Sequence, residues 1–306
     1  MNFTIAGFYS KSEILNKLLY LYDNFPYIFK KDIVIQSLYD SLPDLKWNGG
    51  RTINNNLVNT QTVLKNIENI NNLGIGINFT FSNFLIKEND LKDKKCNDIL
   101  RVLSSSILNG VIVSSMLLKD YIMKHYPNLK IILSLTYFYN NINNINYEIK
   151  KTLKDNFYHK IVIPPDYNYD FNLLSNLSNK NKIELLVNET CYKNCKYKTK
   201  HYRLINEDNL NHTIFASSFC HKVHTQTSIN YNLINNEDDI KRFIKLGIKN
   251  FKISGRTLED KAYIFFLYKF LIKKEYRNLF YSYISSEYMN SNNRNFNGAF
   301  AKRLAW

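Results

Sequence analysis

Residues 183–201, IELLVNETCYKNCKYKTKH, change character within one short stretch. The β-rich run IELLV ends at Asn188-Glu189 and passes straight into Cys191, Cys195 and His201. A run so short and so apolar reads as a strand covered on both faces. Two thiols, a carboxylate and an imidazole therefore gather where a buried strand surfaces. Parallel α/β sheets collect their chemistry at such strand ends, so the chain on either side is read for more strands of this kind.

They recur almost from end to end. Strands are expected over 3–7 (FTIAG), 32–39 (DIVIQSLY), 74–81 (GIGINFTF), 111–115 (VIVSS), 130–137 (KIILSLTY), 160–163 (KIVI, closed by Pro164-Pro165), 183–188 and 250–254 (NFKIS). Between them lie helical patterns with apolar residues three and four apart. One begins after Ser10, a candidate cap, and others run over about 57–72, 97–108, 238–246 and 258–273. Asn109-Gly110 reads as a helix stop. Eight short apolar strands alternating with helices predict a (β/α)8 TIM-like barrel over 1–285, followed by a polar tail over 286–306 with scattered aromatics. A doubly wound open sheet is the alternative, but no Gly-x-Gly-x-x-Gly follows the first strand.

In a barrel of this kind the functional groups sit at the C-terminal ends of the strands. The polar residues closing the strands include Asp40, Thr80, Ser82, Ser114, Ser115, Thr136, Asn188, Glu189, Ser254 and Arg256, with Arg51 close by in the segment WNGGR.

Composition narrows the class. The 306 residues carry a net charge of +15, with lysine spread along the whole chain. Such a balance favours an anionic partner such as RNA, anionic lipid or a phosphorylated or carboxylated substrate. A generally lysine-rich composition is the plainer reading. Four cysteines are too few for a secreted disulfide framework. The N-terminus, MNFTIAGFYSKSE, lacks the pattern of a signal peptide, and no apolar run reaches the roughly 18 residues of a spanning helix. The expected setting is the reducing cytoplasm, where clustered thiols more often hold metal or do redox chemistry.

Cys191 and Cys195 are neighbours in sequence, and Cys220 and Cys96 are not. Cys96 opens a helix after the third strand, so it too belongs to the C-terminal face. Four thiolates suit a tetrahedral zinc or an iron–sulfur cluster, and the spacing does not separate the two. His201, His221 and His224 are further ligand or acid–base candidates. The plain alternative is that Cys96 and Cys220 are small buried residues.

The same residues carry a resemblance. The order apolar strand, Asn188-Glu189, Cys191, Cys195, His201 is similar to that of the collagenase-like U32 peptidase family. WNGGR (47–51), GIGINFTFSN (74–83), Cys96-Asn97 with NGVIVSS (109–115), FKISGRT (251–257) and KKEYRNLF (273–280) agree with it in order. The resemblance implies a (β/α)8-like domain in which Cys191, Cys195, Cys220 and Cys96 hold a [4Fe–4S] cluster. The short single-domain branch it points to is related to iron–sulfur proteins that assist hydroxylation in ubiquinone synthesis or on RNA, some of which pair with a related partner chain. Ser254 stands where the family's closing motif has an acidic residue, so no carboxylate role carries over there.

Three functions follow as expectations. The first is an iron–sulfur-dependent oxidoreductase acting on a small organic or RNA substrate. Glu189 would then be a base or an orienting group, His201 an acid or base, and Arg51 and Arg256 a clamp on a carboxylate or phosphate. The second is a peptidase; neither His-Glu-x-x-His nor Gly-x-Ser-x-Gly is present, leaving a cysteine nucleophile with His201. The third is a non-catalytic, metal-stabilised protein that binds a partner chain or RNA.

Overall fold

In the computed structural model, residues 1–43, 45–50, 60–140, 143–219, 231–234 and 237–286 are described. Their strands are β1 (Asn2–Ala6), β2 (Val34–Asp40), β3 (Gly76–Phe81), β4 (Gly110–Val113), β5 (Lys130–Leu133), β6 (Tyr158–Val162), β7 (Ile183–Leu186), β8 (Asn188–Tyr192), β9 (Tyr231–Leu233) and β10 (Asn250–Ile253). Eight of them close into an all-parallel barrel in the order β1-β10-β7-β6-β5-β4-β3-β2, and β8 and β9 form a separate antiparallel hairpin. This is the (β/α)8 architecture expected from the alternation of short runs and helical patterns. The N-terminal strand closes the ring, pairing with β10 through Phe3 and Phe251 and with β2 through Ile5 and Leu38.

The helices are α1 (Ser12–Asn24), α2 (Thr60–Asn72), α3 (Lys94–Leu103), α4 (Met116–His125), α5 (Ile145–Lys154), α6 (Phe171–Ser175), α7 (Lys198–Asn211), α8 (Glu237–Lys245), α9 (Asp260–Leu271) and α10 (Arg277–Ser285). Two compact units emerge, Met1–Lys11 with Asp32–Arg256, and Ser12–Lys31 with the chain from Thr257 onward. The first holds the barrel. Within the second, Lys17 donates to the carbonyls of Ile284 and Ser286, Lys30 donates to that of Lys269, and Phe29 bridges Ile272. The tail over 287–306 lies outside the described residues. No described helix is long and apolar enough to cross a membrane.

Several local expectations are corrected. Ser10 does not cap α1; its N–H and hydroxyl both donate to Asp40 Oδ2 at 2.8 Å, and the helix starts at Ser12. The helix after Cys96 stops at Leu103 rather than at Leu108. Asn109 instead ties elements together, its Oδ1 accepting from Ile77 N and its Nδ2 donating to Leu103 O. The fifth strand ends at Leu133 because Ser134 caps a 3-10 turn over Leu135–Tyr139. The seventh ends at Leu186, and Asn188 already belongs to the hairpin.

The strands are also less uniformly apolar than they read. Thr4 on β1 donates to Glu184 on β7 at 2.7 Å, although β10 stands between them in the sheet. That bond crosses the inside of the barrel. Lys160 on β6 donates to the same carboxylate oxygen at 3.0 Å, and Lys252 on β10 lies 3.9 Å from the other. Thr4 and Asn78 both meet Ser37, so one interior layer is polar. Next to it lies an apolar cluster of Ala6, Tyr39, Ile112, Ile132 and Val162.

Candidate functional site at the C-terminal mouth

Every strand in a parallel barrel ends at the same face, so the segments that follow them share one rim. Three arcs of polar residues make up this rim.

The first arc lies at the ends of β1, β2 and β10. Asp40, at the end of β2, accepts from the amides of Tyr9, Ser10 and Ser41 and from the Ser10 hydroxyl. Arg256 Nε stands 3.9 Å from it and an outer nitrogen donates to Ser41 Oγ at 2.8 Å. The guanidinium lies 5.7 Å from the centre of the Tyr39 ring, which Lys252 Nζ also approaches, at 3.9 Å. Arg256 thus links the end of β10 to that of β2. Arg51 lies outside the described residues.

The second arc is made of hydroxyls after β3, β4 and β5. Thr136 lies 2.5 Å from Ser114 and 2.9 Å from Ser134, oxygen to oxygen. Thr80 Oγ1 and Ser82 Oγ are buried without a hydrogen-bond partner among the described residues. Over this arc lies the loop of Trp47, Asn48, Gly49 and Gly50. A Cβ on Gly49 would stand 2.4 Å from the Ser82 carbonyl oxygen, so only glycine lets the loop approach this closely. Asn83 fastens it, taking the Trp47 carbonyl with its N–H while its side chain donates to Asn206 O on α7.

The third arc carries the cysteines. After β7, the Asn188 side chain stitches the end of β10, donating to Ser254 O at 2.8 Å and accepting from Ser254 N at 2.7 Å. The chain then leaves the barrel as β8. Glu189 is buried and its Oε1 accepts from Cys191 N at 2.9 Å. Cys191 and Cys195 are partly exposed. Their turn passes through Asn194, whose φ of +51° is left-handed and whose N–H donates to Asp166 Oδ1 at 2.9 Å. Asp166 Oδ2 accepts from Tyr139 at 2.9 Å and from the buried ammonium of Lys198, which opens α7. Burial, with Asp166 beside it, drives the Tyr139 phenol well above its ordinary range, so it stays a donor. Asp166, Lys198 and Tyr139 were not singled out in the sequence. Asp166 could have been, since it follows β6 at the end where such groups collect.

His201 lies in the first turn of α7, its ring 5.4 Å from that of Phe219. Cys96 belongs to a different element, α3. It is fully buried in the first turn of α3, its amide bonded to Asp93 Oδ1. Burial, and then Asp93, push its thiol well up, against the backbone N–H groups of Trp47 and Lys46. A metal ligand needs the thiolate, the form this setting disfavours. Cys220 lies outside the described residues. Among those described, no three His, Cys, Asp or Glu side chains gather so as to hold a metal ion. Cys191 and Cys195, on one turn, are donors suited to a soft metal.

No protein-family profile matches the chain, and no curated protein does. Among solved structures it is similar to "The Structure of the U32 Peptidase Mk0906", with 11% identity, 83% of this chain and 92% of that one covered, and a TM-score of 0.48. The functional reading rests on the residues of this chain.

Proposed function

We propose that this chain is a U32-like barrel enzyme of the oxidoreductase type that works on an organic substrate at the C-terminal mouth, with its cysteine turn as the reactive edge. The observation that carries this reading is the anchoring of that turn. Glu189 holds the Cys191 amide and Asp166 holds the Asn194 amide, while both thiols keep some exposure. Carboxylates that orient a partly exposed thiol pair, Glu189 buried and Asp166 half-buried, are what a reactive or ligating edge requires. An iron–sulfur group in this reading rests on Cys191, Cys195 and Cys220, and Cys96 stays a core residue. Protein purified without oxygen is expected to be brown, to lose its colour in Cys191→Ala and to keep it in Cys96→Ser. A colourless protein with one bound zinc would point to a structural metal. Loss of colour in Cys96→Ser would restore the four-cysteine set.

The partial exposure of Cys191 and Cys195 also supports a second reading, the cysteine peptidase. Metal-free protein in which one of these thiols is alkylated stoichiometrically, with loss of peptide cleavage, would replace the first reading by this one.

A further inference from the structure

We propose that the mouth of the barrel is an anion site, in which a small organic acid sets a carboxylate or phosphate against Lys252 and Arg256. This rests on reading the C-terminal mouth as the substrate face, and on no metal.

The argument begins with charge. The charged groups that act on Lys252 are Glu184, Arg256 and Lys160, and Asp40 stands beside Arg256, so around Lys252 three cations meet two carboxylates; the other buried charges of the rim, Glu189 and the Asp166–Lys198 pair, belong to the cysteine arc. Buried charges are stable in pairs, and one of these cations has no pair of its own. Hydrogen bonding locates it. Glu184 Oε1 is occupied by Thr4 and Lys160, and Asp40 by three amides and a hydroxyl. Lys252 Nζ is left at ion-pair distance from Glu184 Oε2, 3.9 Å, and over the Tyr39 ring. Neither contact is a hydrogen bond, and an ammonium has three N–H groups to place.

The rim supplies neutral donors as well. Thr80 Oγ1 and Ser82 Oγ are buried hydroxyls without a partner among the described residues. Thr80 follows Phe79, the β3 residue paired with Asp40, and so stands beside the arc that holds Arg256. Buried polar groups left unsatisfied in a native fold call for a ligand or solvent. An acid that brings one negative charge would answer the surplus cation and the hydroxyls together.

Proton linkage follows from the same contacts. Burial first, opposed by Glu184 and reinforced by Arg256 and Lys160, holds the Lys252 ammonium down at about 8. Beside this set, Lys130 on β5 and His159 on β6 each feel Lys160, and His159 also feels Glu184. A bound anion raises Lys252, so binding near pH 8 draws in up to about half a proton, and near pH 6.5 almost none.

The test is calorimetric titration with malonate and, separately, inorganic phosphate, at about pH 6.5, 8 and 9.5, each in two buffers of different ionisation heat. Saturable binding of either probe is expected, with proton uptake at about pH 8 and affinity at least ten-fold weaker at about pH 9.5. Malonate alone would assign a carboxylate, phosphate alone a phosphate ester, and both the anionic group as such. Lys252→Met, which keeps the length of the side chain, should lose the uptake and at least ten-fold in affinity. Should that variant fail to fold, the proton uptake of the unaltered protein decides. No binding of either probe, binding without uptake near pH 8, or equal binding by a folded Lys252→Met would each overturn the proposal. None of these outcomes depends on the colour of the protein, so this site and the cysteine edge succeed or fail separately.

Discussion

Glu184 is the residue on which the barrel's interior charges depend. Burial alone would raise its carboxyl, but Lys160, Lys252 and the hydrogen bonds from Thr4 and Lys160 outweigh that and hold it below the usual carboxylate range. Glu184→Gln leaves two ammoniums facing each other in the barrel, and a loss of about 3–5 kcal/mol is expected from denaturant unfolding. Lys252→Met should behave in the opposite way. Its ammonium is disfavoured by its surroundings and Glu184 keeps Lys160 as a partner, so replacing it by an apolar chain of similar length is expected to be neutral or stabilising. A variant that gains stability while losing anion binding would mark Lys252 as kept for function, since active groups are commonly held at a cost in stability. If Lys252→Met instead melts well below the parent, the ammonium is structural.

At the scale of elements, the turn that presents the cysteines depends on a carboxylate from another strand. Asp166 follows β6, yet it binds the Asn194 amide of the cysteine turn and Lys198 at the start of α7. Asp166→Ala should release that turn and leave the Lys198 charge buried without its partner, at a cost of about 3 kcal/mol or more. Faster alkylation of Cys191 and Cys195, followed by mass spectrometry, is the expected sign; unchanged rates would mean that Glu189 holds the turn unaided. Gly49→Ala acts on the opposite arc. Its Cβ would fall 2.4 Å from Ser82 O and 2.7 Å from Asn206 Oδ1, so the loop must lift, with an expected loss of about 1–3 kcal/mol. How far the elements were legible follows from burial. The eight barrel strands could be read because cover on both faces leaves short apolar runs between turn signals. The β8–β9 hairpin could not, since its second strand is three residues long and lies in a polar stretch. The interior ions were overlooked although a signal existed. Lys160, Glu184 and Lys252 each interrupt an apolar run, and a charge in a strand covered by helices has only the barrel interior to enter. Cys96 was correctly placed at the start of a helix after β3, but residue spacing carries no information on whether a thiol faces the rim or the core.

The whole molecule should report these groups through its stability against pH. Glu184, with its folded value depressed, contributes stability that is present above the ordinary carboxylate range and lost as pH falls through its folded value. Lys252 acts with the other sign. Its folded value of about 8 lies below the ordinary 10.5, so between these the unfolded chain binds more protons and stability rises with pH. Tyr137, Tyr139 and Tyr158 then reverse the trend. Burial raises all three phenols, the unfolded chain loses their protons first, and stability falls above about pH 10. Unfolding free energy measured by denaturant titration is therefore expected to rise from about pH 8 to a maximum near pH 10 and to drop beyond it. In Lys252→Met the rise should vanish while the drop remains. A saturating anion should flatten the rise in the same way, because it keeps Lys252 protonated in the folded state. A profile that is flat from about pH 8 to 10 in the unaltered protein would show that the ammonium is already neutralised by Glu184, and it would remove the surplus charge from which the anion site was inferred.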